Sequence, residues 1–91
     1  EFILHQNYPN PFNPSTVISF SLSKEEFVSI DIYDMTGKHI ICLMNGKKKV
    51  GTHNINWSGR DKNGALITTG QYLYQLRTRS SSTFMKMLFI K

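Results

Sequence analysis

Thr16-Val17-Ile18-Ser19-Phe20-Ser21-Leu22 places Ile18, Phe20 and Leu22 on one side of an extended chain and Val17, Ser19 and Ser21 on the other. A period of two is the pattern of a strand with one buried face. The same reading extends outward along the chain. Val28, Ile30 and Ile32 alternate with Ser29, Asp31 and Tyr33; His53, Ile55 and Trp57 alternate with Asn54 and Asn56. Tyr72, Tyr74 and Leu76 alternate with Gln71, Leu73, Gln75 and Arg77, and Met85, Met87 and Phe89 with Phe84, Lys86, Leu88 and Ile90. Residues 38–45 form a further strand whose apolar residues fall on both faces (Ile40, Cys42 and Met44 against Ile41 and Leu43), which predicts a bulge or cover on both sides. Residues 65–68 add a short one. About seven strands, with turn signals about every 8–12 residues, predict an all-β, immunoglobulin-like antiparallel β-sandwich.

The punctuation between these runs is chemical. Asp34-Met35-Thr36-Gly37 reads as a turn in which Gly37 takes a positive φ. Arg60-Asp61-Lys62-Asn63-Gly64 ends in Asn-Gly, a hairpin signal, Gly70 breaks the chain, and Ser80-Ser81-Ser82 is a flexible turn. Lys47-Lys48-Lys49, between Gly46 and Gly51, reads as a solvated loop tip that discourages edge-to-edge aggregation. Ser23-Lys24-Glu25-Glu26 fits a helix capping box, but the period-two run behind it makes the segment a hairpin connection instead.

Residues 7–14, Asn7-Tyr8-Pro9-Asn10-Pro11-Phe12-Asn13-Pro14, hold all three prolines. Each proline fixes its own φ, removes a donor and pushes the preceding residue toward extended geometry. The segment is therefore a stiff edge or cap, with Tyr8 and Phe12 as apolar anchors and the asparagines bonding nearby backbone. Residues 1–15 are read as an entry cap and 16–91 as the sandwich. Trp57 is expected in the core, against Ile30 or Ile32 and the face bearing Tyr72 and Tyr74.

Ninety-one residues suit one domain, and 40% hydrophobic with 12% aromatic residues can fill a small core. No apolar run approaches the roughly 20 residues of a membrane-spanning helix. No signal peptide opens the chain, and Glu1-Phe2 reads as an internal cut of a longer protein. The single cysteine, Cys42, excludes an internal disulfide and is expected as a buried or half-buried structural thiol between Ile41 and Leu43. The charge of +5 is dispersed, without the aromatics or recognition helix that a nucleic-acid binder sets beside a basic patch. His5, His39 and His53 share no metal-ligand spacing. Asp31 falls on an outward strand position, and Asp34 and Asp61 on turns. Asp61-Lys62-Asn63-Gly64 lacks the ligand series of a calcium loop. Asn56-Trp57-Ser58 fits a glycosylation sequon, but Trp57 reads as core. These residues predict no catalytic site, no metal and no cofactor.

Asn7-Tyr8-Pro9-Asn10-Pro11-Phe12-Asn13-Pro14-Ser15-Thr16 resembles the opening of the type A C-terminal sorting domains of the bacterial type IX secretion system. The resemblance runs on through Ile32-Tyr33-Asp34-Met35-Thr36-Gly37, Gly51 to Asp61 (with Trp57 and Gly59), Asn63-Gly64 and Gly70-Gln71-Tyr72-Leu73-Tyr74. It closes with Lys86-Met87-Leu88-Phe89-Ile90-Lys91. The middle portion is also similar to the immunoglobulin-like domain of flagellar hook-capping proteins. Lys47-Lys48-Lys49-Val50 and Ser58 depart from the sorting-domain pattern, and the first of these makes this surface more basic.

The resemblance implies a secretion signal. Such a domain directs its parent, a cargo N-terminal to Glu1, through an outer-membrane translocon to the cell surface or the medium, and a sortase-like peptidase commonly removes it. The cut would fall near or before Glu1. Tyr8, Pro9, Asn10, Pro11, Lys86, Leu88, Ile90 and Lys91 are the candidate recognition residues. Asp34, Gly37, Gly51, Trp57, Gly59, Gly64, Gly70 and Tyr72 are the structural motif positions. The surplus apolar residues of the last strand suit docking by strand addition, or else Leu88 and Ile90 lie under a loop. A carbohydrate-binding module, stacking sugar on Tyr8, Phe12, Tyr33 and Trp57, and a structural spacer are the alternatives.

Overall fold

The computed structural model describes residues 1–91 and is all-β. Its strands are β1 (Phe2–Leu4), β2 (Thr16–Leu22), β3 (Glu26–Asp34), β4 (His39–Lys48), β5 (Gly51–Trp57), β6 (Gly70–Arg77) and β7 (Ser82–Phe89). They form an immunoglobulin-like sandwich of two antiparallel sheets, ordered β1-β2-β5 and β4-β3-β6-β7.

The alternation does what its period requires. Ile18, Phe20 and Leu22 of β2 face Val28, Ile30 and Ile32 of β3 and Tyr72, Tyr74 and Leu76 of β6 in one buried core, which Trp57, Met87 and Phe89 complete. The polar faces turn outward and pair across strands: Ser19 donates to Asn54 at 2.6 Å and Ser21 lies 3.1 Å from Thr52.

Several expectations need correction. The count of seven holds, but the membership differs: residues 65–68 make only one bridge, Arg60 with Leu66, while Phe2–Leu4 forms β1 and buries Leu4. The first fifteen residues thus include part of a sheet. Ser23–Glu25 is no hairpin connection, since it carries the chain from β2 in one sheet to β3 in the other. Lys47 and Lys48 belong to β4, leaving only Lys49 and Val50 to cross between sheets. Ser82 begins β7, so the preceding turn is shorter than three serines.

The bulging expected in residues 38–45 is present. Register shifts between Ile30 and Asp31 and between Ile32 and Tyr33 leave Leu43 and Ile40 as extra residues on β4. These shifts overturn the expectation of a buried thiol. With Leu43 as the extra residue, Cys42 pairs with Asp31 on the outer face and is exposed. Asp31, conversely, is buried despite its outward position, because His39 Nε2 lies 2.8 Å from its Oδ1 and Arg77 3.9 Å from its Oδ2. Incomplete solvation and the adjacent Asp31 charge push the Cys42 thiol up, which keeps it protonated and a poor nucleophile.

The sandwich is elongated, 37 × 23 × 19 Å. Glu1, Ser23–Glu25, Lys49-Val50 and the β6–β7 turn lie at one pole, where Phe2 pairs with Leu22 and Leu22 with Gly51. The proline-rich cap, the β3–β4 turn, the β5–β6 loop and Lys91 gather at the other.

Candidate recognition surface

The cap is sewn into the sandwich residue by residue. Tyr8 and Val17 exchange both backbone bonds, at 3.0 and 2.9 Å. That pairing turns Asn7 inward and Tyr8 outward, so Asn7 is 2% exposed and Tyr8 79%. Tyr8 is therefore not an anchor, whereas Phe12 is: its ring lies 5.6 Å from Trp57 and 5.1 Å from Phe89. All three X-Pro peptide bonds are cis.

Asn7 takes the inner place because its backbone N–H and both polar atoms of its side chain find partners, the side-chain oxygen accepting from Gln6 Nε2 at 2.7 Å. Its side-chain amide donates to Thr16 Oγ1 at 2.9 Å and to the Pro9 carbonyl at 3.2 Å, and Thr16 donates to the same carbonyl at 2.8 Å. Its backbone N–H donates to the Tyr74 hydroxyl at 2.8 Å, which in turn donates to the His5 carbonyl at 2.6 Å. Burial pushes the Tyr74 phenol up to about 12, against a slight opposing pull from the Asn7 N–H. A neutral phenol thus clamps the cap to β6.

The last strand meets the cap at its outer edge. Leu88 N–H donates to Asn10 Oδ1 at 2.9 Å, Phe12 N–H to the Leu88 carbonyl at 3.0 Å, and Ile90 N–H to the Phe12 carbonyl at 3.2 Å. Gln6 adds a bond to the Lys86 carbonyl at 2.8 Å. The edge of β7 at Leu88 and Ile90 is consequently filled by this chain's own cap, and strand addition there is overturned. Cover by a loop is what the structure has: Leu88 is half-buried, while the Ile90 side chain remains 46% exposed.

The sequence-selected residues thus come together in one seam. Pro9, Asn10 and Pro11 lie on the cap, Lys86 and Leu88 on β7, and Ile90 and Lys91 just beyond it, while Tyr8 projects to solvent from its bridge to Val17 of β2. Lys91 N–H is held by Thr69 Oγ1 at 2.9 Å. Asn10, Gln71, Lys86, Met87 and Leu88 line a shallow concavity of about 130 Å3 along the seam. Asn7 bonds the nearby Pro9 carbonyl as its sequence suggests, but the contacts of Gln6 with Lys86 and of Asn7 with Tyr74 carry no signal in the sequence, because the partners lie more than sixty residues apart.

The motif residues other than Gly51, which lies at the entry pole, support the same pole. Asp34 Oδ1 accepts from the Thr36 hydroxyl at 2.6 Å, Thr36 N–H at 2.9 Å and Lys38 N–H at 3.0 Å, bonds that lower its pKa. Asp61 Oδ1 accepts likewise from Asn63 and Ala65 N–H. Gly37 (φ 92°) and Gly64 (φ 83°) close these two turns in the same way, each donating its N–H to the aspartate carbonyl. Between them lies an open cleft of about 510 Å3. Gly59 takes φ 72°, and a Cβ there would stand 3.2 Å from Phe89 Cε1 and 3.5 Å from the Pro14 carbonyl, where cap and last strand meet. Gly51 begins β5 and Gly70 begins β6. Trp57 is buried against Phe12 and edge-on to Tyr72, with its indole N–H donating to the Arg60 carbonyl at 3.0 Å. Tyr72 bonds the Thr68 carbonyl at 2.7 Å.

Burial of Phe12 and Trp57 removes them from any sugar-stacking platform, and Tyr33 lies on the outer face of the four-stranded sheet, apart from Tyr8. Two of the three histidines are occupied locally. His53 stacks on Phe20 and bonds the Lys49 carbonyl, and His39 bonds Asp31.

The family model of the FlgD Ig-like domain matches residues 10–82. The chain belongs to that family. This Ig-like domain is similar in structure to a crystal structure of dimeric latent PorU from Porphyromonas gingivalis, with TM-score 0.79 and 23% identity over 99% of this chain and 9% of that one. It is also similar to PorZ, an essential bacterial surface component of the type IX secretion system of the same organism, with TM-score 0.67 and 20% identity over 97% and 11% of the two chains. FlgD from Xanthomonas campestris, involved in hook capping, gives TM-score 0.66 and 18% identity over 96% and 64%. At these identities the likeness is one of fold. The Ig-like domain spans about a tenth of the first two chains and under two thirds of the third. No curated protein matches it in sequence.

Proposed function

We propose that residues 1–91 form a sorting domain that directs a cargo attached ahead of Glu1 through the outer-membrane type IX translocon to the cell surface or the medium. A sortase-like peptidase removes it by cutting near or before Glu1. The observation that carries this reading is the seam. The motif that opens the chain and the motif that closes it meet where Asn10 and Phe12 bond Leu88 and Ile90, on one surface that exists only in the folded domain. A receptor that accepts only folded cargo needs such a composite surface. The entry pole, where Glu1 lies, is at the opposite end of the long axis, so a cargo there leaves the seam clear. Similarity to portions of PorU and PorZ supports the secretion context.

Membership in the FlgD Ig-like family favours a second reading, a structural module within a larger assembly. A reporter carrying a signal peptide and fused ahead of Glu1 separates the two. In a cell with the secretion system the sorting reading expects the reporter outside. A folded fusion that stays in the periplasm leaves the structural reading.

A further inference from the structure

At the entry pole, away from the seam, the outer face of the four-stranded sheet holds a groove of about 260 Å3 lined by Phe27, Ser29, Asn45, Arg77, Thr78 and Arg79. Asn45, Ser29 and Arg77 form one row across β4, β3 and β6, because Ser29 is in register with both of the others. Arg79 stands beyond the end of β6, and its guanidinium carbon lies 5.8 Å from the centre of the exposed Phe27 ring. That ring is what orients it: no hydrogen bond or ion pair within the chain engages Arg79. The turn joining the two arginines to β7 is fixed by Thr78, whose N–H donates to the Ser81 carbonyl at 2.8 Å and whose hydroxyl accepts from the N–H groups of Ser80 and Ser81.

The lining is rich in donors and poor in counter-charge. No carboxylate borders this groove. Asp31 lies one row away, held by His39 at 2.8 Å, and reaches Arg77 only at 3.9 Å. Glu25 and Glu26 sit in the neighbouring groove on the other side of Phe27, which Arg79 also borders, together with Lys24 and Lys47, and neither glutamate forms an ion pair with Arg79. The side-chain amide of Asn45 and the hydroxyl of Ser29 bond to no other group of the chain. Two guanidinium forks, an amide and a hydroxyl offer more donors than a carboxylate has oxygens, and they suit the three terminal oxygens of a phosphate.

We propose that this groove binds the oxyanion of a phosphomonoester, either free phosphate or the phosphate of a sugar. The site goes beyond the sorting role and does not depend on it.

Titration of the 15N-labelled domain with inorganic phosphate at about pH 8, with sodium chloride adjusted to hold ionic strength constant, tests the proposal. Saturating shifts confined to the amides of Ser29, Asn45 and Arg77–Arg79 are expected. Arg79→Gln should weaken the binding about tenfold, while Lys62→Gln, at the other pole, should leave it unchanged. Shifts that stay linear, spread over the lysines of both poles, or persist undiminished in Arg79→Gln overturn the site. Glucose 1-phosphate in the second arm distinguishes the sources: tighter binding than phosphate assigns a sugar phosphate, and equal binding assigns the free oxyanion.

Discussion

The side-chain carbonyl of Asn10 accepts the backbone N–H of Leu88 at 2.9 Å, joining the cap to the last strand across 78 residues of chain. The bond occupies an edge group that an unpaired terminal strand would present to other chains. It also ties the cap near the start of the chain to its last strand, β7.

Asn10→Ala removes the acceptor and leaves the Leu88 amide to water. A loss of about 0.5–1.5 kcal/mol is expected, together with faster hydrogen exchange at Leu88 and Ile90 than at β6 amides. Unchanged protection at both positions would show that the seam does not depend on this bond.

Trp57→Ala empties the space beside Phe12 and Tyr72 and deprives the Arg60 carbonyl of its donor. Chemical denaturation should register a loss of about 3–5 kcal/mol, as for other large aromatic truncations. A near-neutral midpoint would contradict the packing described for Trp57.

The raised pKa of Tyr74 gives an alkaline signature. The folded value, about 12, lies above the ordinary 10.0, so the fold favours the neutral phenol. Its contribution is whole below about pH 10 and is lost as pH rises toward 12. Tyr74→Phe gives up the bonds to His5 and Asn7 and should be less stable near neutrality. It should also lose less stability between about pH 9 and 11.5 than the parent does, as read by urea midpoints. An equal alkaline loss in both proteins would remove Tyr74 as its source.

How far the sequence reaches depends on the range of the interaction. One-sided strands such as β2 and β6 announce themselves, since a period of two names the buried face residue by residue. It does not name the partner strand, so Ser23–Glu25 reads as a hairpin when it crosses between sheets. Phe2-Ile3-Leu4 is too short to show a period, and its pairing with Leu22 and Phe20 decides it. Residues 65–68 look extended, but Asp61 draws the backbone of Asn63 and Ala65 onto itself and leaves a single bridge. Cys42 is displaced by a bulge that the two-faced apolar pattern signals without fixing its position. At the seam, the cap and the last strand are each visible as motifs. Their contact is not, because Asn7, Gln6 and Tyr74 are ordinary residues until the fold brings them together.

The central claim is that the seam of the folded domain is read during export, and Lys86 and Lys91 are exposed charges on it. Lys86→Glu with Lys91→Glu reverses both while leaving Met87 and Phe89 in the core, and such surface changes usually alter stability by under about 0.5 kcal/mol. The decisive measurement is the extracellular fraction of a reporter fused ahead of Glu1, parent and double variant side by side, with the melting temperature of each domain. The account predicts matched melting and loss of the reporter from the medium in the variant. Matched melting with undiminished export would contradict it.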